Sequence, residues 1–376
     1  MKQVLRVLIG VAAVSTAAVP TAAQFVQTDN TAYGTTSAEF LLLGAGARGA
    51  ALGGSYAAMA NDATALYWNP AGIAMMERPQ LSASVMDYVA NTRYAWVGLA
   101  FPMSGGQRAI GIHGASFGFG DQPVYTVADP TGQSGQTYSV NETYVGLTYS
   151  QNFSDRFSAG VTAKMVSDQL GSTSANAFAF DFGTNFHALV SGRPLRASFV
   201  IQNLGSALRA TGAGLDVGVD RSPPQGQQDL PQEPANARLQ TKEFNLPVAF
   251  RVGLAFDVMS SNASRVTVLS EFTQPNNTNA SANGGLEWAL TNIGNSGFWV
   301  AARGSYTYQP DNNLTPDATV AGFATGLSST ENKDGLALGG GIGFVGRSGF
   351  GLSMDYAWKN LGLLGGVNFL SASISW

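Results

Sequence analysis

FGLSMDYAWK, residues 350–359, alternates between large apolar side chains and small or polar ones. In an extended chain one face carries the apolar members, which are Phe350, Leu352, Met354, Tyr356 and Trp358. The other face carries Gly351, Ser353, Asp355, Ala357 and Lys359. Because successive side chains of a strand point to opposite faces, the stretch predicts a β-strand with one apolar and one polar side.

The same alternation recurs in FAFDFGTNFHA, residues 178–188, and in VAFRVGLAFD, residues 248–257. A soluble β-sandwich also alternates, so the pattern alone leaves two fold classes open. Here, however, the apolar face is crowded with aromatic side chains, and the opposite face holds glycine, serine and charged residues. That contrast is typical of strands with a lipid-facing exterior and a polar interior.

Composition favours the same class. Only 12% of the residues are charged, against about 25% in ordinary soluble domains, and 46 of 376 residues are glycine. After the first residues, the chain has no apolar run of about 18 residues that could cross a bilayer as a helix. Both observations indicate a protein that meets lipid through strands.

Alternating segments bounded by turn residues predict fourteen strands, an even number as in bacterial barrels. The predicted fold is an all-β, fourteen-stranded antiparallel transmembrane barrel. The segments lie near residues 80–90, 93–102, 108–119, 137–151, 156–167, 175–189, 195–204, 245–257, 264–274, 281–291, 297–308, 335–346, 349–358 and 366–376.

The connections alternate in length. Every second one is a tight turn, read as MSGGQ, NFSD, VSGRP, MSSNA, NIGNS and GRS. The long connections near 120–136, 205–244 and 309–334 all fall on the other parity. Because such barrels keep short turns in the periplasm, we expect both termini on the periplasmic side and the long loops outside.

Residues 1–23 read as a secretory signal peptide, with Lys2 and Arg6 before an apolar stretch and a small-residue site after it. The mature chain is then expected to start at Gln24. Its destination is expected to be the outer membrane of a Gram-negative bacterium, with outer-membrane lipid as its surroundings.

Two short motifs suggest other chemistry. LLLGAGARGAALGG, residues 41–54, contains the G-x-G-x-x-G spacing of a dinucleotide loop, with Asp62 where a ribose-binding acid is expected. GASFG, residues 114–118, matches the G-x-S-x-G of hydrolases around Ser116, with His113 nearby. Export argues against a nucleotide cofactor, and the second motif lies within a predicted strand, not at a strand-to-helix elbow.

The remaining composition predicts no catalytic residue, cofactor or metal site. The chain has no cysteine and two histidines, too few for most zinc or triad chemistry. Its formal charge of −4 becomes −6 without Lys2 and Arg6, so it has no basic surface for nucleic acid.

FLLLGAGARGAALGGSYAAMANDATALYWNPAGIAMM, residues 40–76, resembles the N-terminal signature of the PorV/PorQ family, relatives of the FadL-type outer-membrane transporters. The resemblance extends to ASFVIQNLG at 197–205, LPVAFRVGLAF at 246–256 and the ending of the chain. It implies a barrel over residues 80–376 whose N-terminal segment, residues 24–79, folds inward as a hatch.

The candidate hatch motif combines small, turn-forming and aromatic residues. Its glycines allow close backbone approach to the wall, Asn69 and Pro70 favour a turn, and Gly72 can take a positive φ that other residues resist. Tyr67 and Trp68 either wedge this turn against the wall or line a ligand path. The motif residues are Gly44, Gly46, Arg48, Gly49, Gly53, Gly54, Asp62, Tyr67, Trp68, Asn69, Pro70 and Gly72.

Charged residues on the predicted inner faces form a second candidate set. They are expected either to build a structural network that pairs with Arg48 and Asp62, or to act as a selectivity filter. The set is Lys164, Asp181, Arg196, Arg251, Asp257, Glu271, Glu287, Arg303 and Asp355.

Two functions remain open at this level. The PorV-like signature implies a role in export or surface attachment of secreted proteins, beside a type IX-like secretion system, with external residues such as 221–240 capturing a partner. The FadL-type relationship implies passive transport of long-chain fatty acids or other hydrophobic molecules. That function predicts an apolar pocket bounded by the hatch and by inward aromatics such as Tyr144 and Trp299.

Overall fold

The computed structural model describes residues 34–127, 129–219, 235–309 and 335–376. The predicted signal peptide, residues 220–234 of the predicted loop 205–244 and residues 310–334 of the predicted loop 309–334 lie outside the described residues. None of the helices in the described ranges is both long and apolar enough to cross a bilayer.

Within these ranges, fourteen long strands form one closed antiparallel sheet, which confirms the predicted barrel. Each strand pairs with its neighbours along the chain, and the first strand closes the barrel by pairing with the last, from Gln80↔Ser375 to Asp87↔Asn368. The strands are β1 Gln80–Asp87, β2 Arg93–Met103, β3 Arg108–Pro123, β4 Thr137–Ser154, β5 Phe157–Leu170, β6 Thr173–Val190, β7 Arg193–Gly205, β11 Ala249–Ser260, β12 Ser264–Pro275, β13 Ser281–Ile293, β14 Phe298–Tyr308, β15 Leu336–Val345, β16 Gly351–Asn360 and β17 Gly366–Ser375.

The other elements are short. Outside the barrel proper, β8 Thr211–Gly212 pairs with β6, and β9 Asp216–Val219 pairs with β10 Ala235–Arg238. Two α-helices span Ala47–Ala51 and Ala65–Trp68. The 3₁₀ turns span Glu39–Leu42, Pro70–Met75, Val89–Asn91, Ser104–Gly106, Ala213–Leu215 and Gly362–Leu364.

The two faces of the sheet separate as the alternation predicts. In β6, Phe178, Phe180 and Phe182 are exposed on the outside, whereas Asp181 between them is fully buried. In β16, Leu352, Met354 and Tyr356 are exposed. The outer surface is therefore an apolar belt, and the polar faces line the lumen.

The ends of the barrel differ in their connections. One end, here called the turn end, carries the connections 104–107, 155–156, 191–192, 261–263, 294–297 and 346–350. The opposite end, the loop end, carries the longer connections, including 124–136 and 206–248. The first starts later than the predicted 120 because β3 continues to Pro123. Strand β11 starts at Ala249, not near 245, because it follows Pro247, which has no N–H to donate to a ladder.

Residues 36–76, here called the N-terminal segment, run through the lumen from one end to the other. At the loop end, the Ser37 N–H donates to the Asn245 carbonyl at 3.0 Å. At the turn end, Asn152 Nδ2 donates to the Ala74 carbonyl at 2.8 Å. Trp376 also lies at the turn end, where its N–H donates to the Pro79 carbonyl. The predicted position of the mature N-terminus concerns residues 24–33, which lie outside the described residues.

Candidate functional site

The N-terminal segment is packed tightly inside the barrel. Every residue from 63 to 74 is buried. Trp68 is the centre of this packing, because its Nε1 donates to the Ala45 carbonyl at 2.7 Å and its ring makes an edge contact with Tyr67. The Arg251 guanidinium of β11 lies 5.2 Å from the Trp68 ring centroid, which is within cation–π range. The indole thus joins the segment to the wall.

The G-x-G-x-x-G stretch is a packing surface for this indole. A Cβ at Gly49 would lie 2.6 Å from Trp68 Cε2, and one at Gly44 would lie 3.1 Å from Trp68 Cζ2. The ring fills the space over the loop where a pyrophosphate would have to sit, and the helix that follows has only five residues. Gly44 and Gly49 thus pack against the segment's own indole, whereas the predicted close approach to the wall is seen at Gly53, where a Cβ would lie 2.1 Å from Asn283 Nδ2.

Asn69 anchors the end of the motif to the wall. Its side-chain oxygen accepts from the Ala71 N–H at 3.1 Å and caps the turn Pro70–Met75. Its Nδ2 donates to the Ala57 carbonyl and to Asn185 Oδ1 on β6, both at 2.9 Å. Each polar atom of this fully buried amide is therefore paired.

Gly72 does not use the positive φ that glycine can take. Gly72 lies inside the 3₁₀ turn Pro70–Met75, and the residues with positive φ do not include it. A Cβ there would lie 2.1 Å from the Ala60 carbonyl oxygen. Glycine is needed at this position for close backbone approach, not for backbone dihedrals.

Gly183 on β6 allows a direct test of the contact between Asn69–Pro70 and the barrel wall. A Cβ there would lie 2.1 Å from Asn69 Oδ1 and 2.8 Å from Pro70 Cδ. We expect Gly183→Ala to cost about 1–3 kcal/mol, as overpacking does, and to speed hydrogen exchange at the Ala71 amide. Gly284→Ala on β13 is the matched control, since its Cβ would meet nothing within 4 Å. Equal exchange and stability in the two variants would contradict the docking.

Glu287 on β13 is the hub of the lumen charges. Arg48 of the N-terminal segment binds it with two hydrogen bonds, from Nε at 2.8 Å and Nη2 at 2.9 Å. Arg303 Nε donates to it at 2.7 Å, and Arg265 Nη2 lies 3.4 Å away. Arg48 also reaches Asp62 at 3.2 Å. One buried carboxylate therefore ties the segment to the barrel wall.

The hub extends across a third strand. Arg303 Nη1 donates to Asp355 Oδ1 on β16 at 2.6 Å, although β15 lies between the two strands. A Cβ at Gly341 on β15 would lie 2.0 Å from this carboxylate oxygen. Glycine at 341 is thus what allows the ion pair to form.

The other predicted lumen charges are paired on neighbouring strands. Lys164 lies 2.8 Å from Asp181, and Arg251 lies 3.1 Å from Glu271. Arg196 pairs with Asp257, which also accepts a bond from Thr267. All nine members of the predicted set thus face the lumen and make ion pairs. This full pairing supports a structural network over a filter of free charges.

Three contacting residues were missed by the sequence prediction. Arg265 was not placed on the inner face, although it reaches Glu287. Gln202 and Asn203 are consecutive and both buried, because a register shift in the β6–β7 ladder and a positive φ of 61° at Asn203 turn both side chains inward. Gln202 Nε2 then donates to the Tyr67 carbonyl, and Asn203 binds Lys164. Two adjacent polar residues in IQNLG, which break the alternation, were the available signal.

Ser116 and His113 do not form a catalytic pair. His113 is buried in the lumen and its Nδ1 lies 3.3 Å from Tyr144 Oη. Ser116 is exposed on the opposite face of β3, where its Oγ donates to Asn141. The strand geometry separates the two side chains.

Loop 124–136 is held by Asp129, which lies outside the strands. Its carboxylate accepts a 2.6 Å hydrogen bond from the Ser134 N–H and another from Thr131. The backbone bond to Ser134 is the main reason that the pKa of Asp129 is lowered to about 2. This carboxylate is therefore charged at neutral pH.

A cavity of about 380 Å³ lies at the loop end of the lumen. Its polar lining includes the Arg251–Glu271 pair and Asn283. The N-terminal segment forms part of its wall through residues 50, 53–55 and 68. Its large apolar lining residues are Leu42, Leu43, Trp68, Tyr88, Leu361, Leu364 and Phe369.

A second cavity of about 260 Å³ lies toward the turn end. It is lined by the Glu287 hub, including Arg48, Asp62 and Asp355, and by the predicted inward aromatic Trp299. Residues 47–55 contribute to both linings, Arg48 on one side and Gly53 to Ser55 on the other. The helix Ala47–Ala51 and the turn after it therefore lie between the two cavities and separate them.

The fold is shared with known transporters. The toluene transporter TodX of Pseudomonas putida matches with a TM-score of 0.52 at 12% identity, over 88% of this chain and 97% of that one. The CymD monoaromatic hydrocarbon channel matches with a TM-score of 0.51 at 12% identity, over 89% and 97% of the two chains. The toluene transporter TbuX of Ralstonia pickettii matches with a TM-score of 0.50 at 13% identity, over 89% and 98%.

At these identities the similarity shows the barrel fold alone. No protein-family model matches the chain, and no curated sequence does either. The fold therefore agrees with the predicted fourteen-stranded barrel, and the FadL-type relationship and membership of the PorV/PorQ family stay predictions.

Proposed function

We propose that this chain is an outer-membrane barrel that passes hydrophobic small molecules passively, with the N-terminal segment as its hatch. The observation that carries the proposal is one lumen holding two cavities that residues 47–55 separate. A displacement of this short stretch would join the cavities, while the barrel wall keeps its hydrogen bonds.

The lining of the loop-end cavity supports an apolar cargo. Leucine and aromatic side chains alternate there with polar groups that already have partners, such as Arg251 and Glu271. Ligand sites for apolar molecules combine an apolar lining with a few placed polar groups in this way. The transporters that share the fold are described as carriers of toluene or monoaromatic hydrocarbons, which fits the same cargo class.

The experiment is dye uptake by intact Gram-negative cells, whose lipopolysaccharide leaflet slows apolar solutes. Cells that express the barrel receive N-phenylnaphthylamine, which fluoresces on reaching the inner leaflet. We expect faster uptake than in cells without the barrel, with no change in entry of the polar substrate nitrocefin. Unchanged dye uptake would overturn the proposal, and faster entry of both probes would show a leaking pore.

The export role is a second candidate that rests on the sequence of Asn61–Gly72. In the structure residues 63–74 are buried inside the barrel, which leaves Asn61 as the one exposed residue of this block. Of residues 221–240, which are predicted to capture a partner, residues 221–234 lie outside the described residues. Retained capture of an exported protein after deletion of 221–240 would count against that role.

A further inference from the structure

The cavity of about 260 Å³ toward the turn end is polar, and its formal charges cancel. Guanidinium and carboxylate groups line it in equal number, and most of its other side chains carry hydroxyls. Because a buried charge needs an opposite partner, a lining without net charge suits an uncharged polar ligand. The charged members are Arg48, Arg265, Arg303, Asp62, Glu287 and Asp355.

Three polar groups in this lining have hydrogen-bonding capacity left over. Gln80 Oε1 accepts from the Ala63 N–H at 2.7 Å, and Asp355 binds Arg303 through Oδ1. Among the described residues, nothing bonds to the remaining atoms, Gln80 Nε2 and Asp355 Oδ2, or to the Ser353 hydroxyl. All three side chains are only partly buried and line the cavity. A donor, an acceptor and a group that can do either are therefore available to a ligand.

Trp299 adds one aromatic face to this polar lining. The strand register places Trp299 on β14, Gly343 on β15 and Ser353 on β16 side by side. A Cβ at Gly343 would lie 2.5 Å from Trp299 Cε2 and 2.6 Å from both Cζ2 and Nε1. Such similar distances to three adjoining atoms mean that Gly343 lies against a face of the indole. Because the indole is only partly buried and lines the cavity, its other face is turned toward the lumen.

The size and position of the cavity limit the ligand further. Sites for drug-sized molecules measure about 300–1,000 Å³, so this cavity suits a smaller molecule, such as one six-membered ring with its substituents. Its lining reaches the turn end of the barrel, since β1 begins at Gln80, β14 at Phe298 and β16 at Gly351. A ligand can therefore arrive from the turn end without any displacement of the N-terminal segment.

We propose that this cavity binds one neutral pyranose sugar, with Trp299 against the C–H face of the sugar ring. Gln80, Ser353 and Asp355 bond to its hydroxyls, each of which can donate and accept. A pyranose combines an apolar ring face with a polar edge, and the lining offers a partner to both. A hydrocarbon would leave these polar groups without partners. The inference goes beyond the proposed transport function, because binding requires no passage through the barrel.

Two sugars and their open-chain alditols test the site. D-Glucose with sorbitol and D-galactose with galactitol are each titrated into the full chain, in a detergent without a sugar headgroup, and binding is followed by saturation-transfer NMR. We expect at least one sugar to bind and its alditol to bind about ten-fold more weakly, because the flexible chain has no fixed ring face and loses more freedom on binding. Failure of both sugars to bind, or equal affinity for a sugar and its alditol, overturns the site.

Two variants with matched controls locate the bound sugar. Trp299→Ala is expected to weaken binding about ten-fold through lost apolar contact. Trp288→Ala removes an indole from the outer face of β13, where it is 47% exposed, and should leave the affinity within about two-fold. Ser353→Ala should weaken binding about three- to ten-fold, the worth of one neutral hydrogen bond, whereas Ser116→Ala on the outside of β3 should not. Equal effects of either variant and its control contradict the proposed site.

The results distinguish this site from the transport function. If a sugar binds through Trp299 while cells show no faster dye uptake, the sugar site holds and the transport proposal fails. If dye uptake is faster but neither sugar binds, the transport proposal holds and the sugar site fails.

Discussion

Glu287→Gln is expected to lower the free energy of unfolding by about 3 kcal/mol and to loosen the N-terminal segment. Breaking one side of a buried ion pair costs about 3–5 kcal/mol, because the partner charge stays buried. We expect a loss at the lower end of this range, because Arg48 still pairs with Asp62 and Arg303 still pairs with Asp355. The measurement is urea unfolding of the barrel in lipid vesicles, with protease cleavage inside residues 36–76 as the readout for the segment.

Asp216→Asn is the control for this variant. Asp216 pairs with Arg238 on the outside of the barrel, where both side chains are about half exposed. Exposed pairs contribute about 0–1 kcal/mol, so this change should leave stability and cleavage nearly unaltered. Equal effects of the two variants would show that Glu287 does not hold the segment.

Trp68→Ala is expected to have the largest effect of any single change in the segment. The indole is 4% exposed and fills the space against Gly44 and Gly49. Removing a buried tryptophan side chain costs about 3–5 kcal/mol, through lost apolar contact and the cavity left behind. Because Trp68 lines the loop-end cavity, the same change enlarges that cavity and should raise dye uptake.

Trp68→Phe distinguishes the contribution of the aromatic ring to stability from that of its hydrogen bond. Phenylalanine keeps an aromatic ring but loses the bond from Nε1 to the Ala45 carbonyl, which is worth about 1 kcal/mol. We therefore expect Trp68→Phe to retain most of the stability and to keep dye uptake close to that of the natural chain. If Trp68→Ala unfolds at the same urea concentration as the natural chain, the indole does not anchor the segment.

The barrel could be predicted because its signal is local. A strand with lipid on one side and lumen on the other must alternate, so FGLSMDYAWK shows its two faces without any knowledge of its neighbours. Tight turns can likewise be predicted from their own turn-forming residues, such as GRS before β16. The strand ends were predicted less well, since β3 continues to Pro123 and β11 starts only after Pro247, which has no N–H to donate to a ladder.

The charged residues of the lumen could be predicted from the sequence, but which of them pair with each other could not. The pairing of Arg48 with Glu287 joins residues 239 positions apart, and no local pattern encodes it. The path of the segment from the loop end to the turn end is equally non-local. Asn203 shows an intermediate case, since its broken alternation was visible while its partner Lys164 was not.

A reversible disulfide between the N-terminal segment and the barrel wall tests the transport proposal most directly. The chain has no cysteine, so Ser55→Cys with Gly285→Cys introduces a single pair. A Cβ added at Gly285 would lie 3.4 Å from Ser55 Oγ. This distance is short enough for a disulfide between the N-terminal segment and β13. We predict that oxidation lowers dye uptake to the level of cells without the barrel and that a reductant restores it. Equal uptake in the oxidised and reduced states, with the disulfide confirmed by mass spectrometry, would contradict a moving hatch.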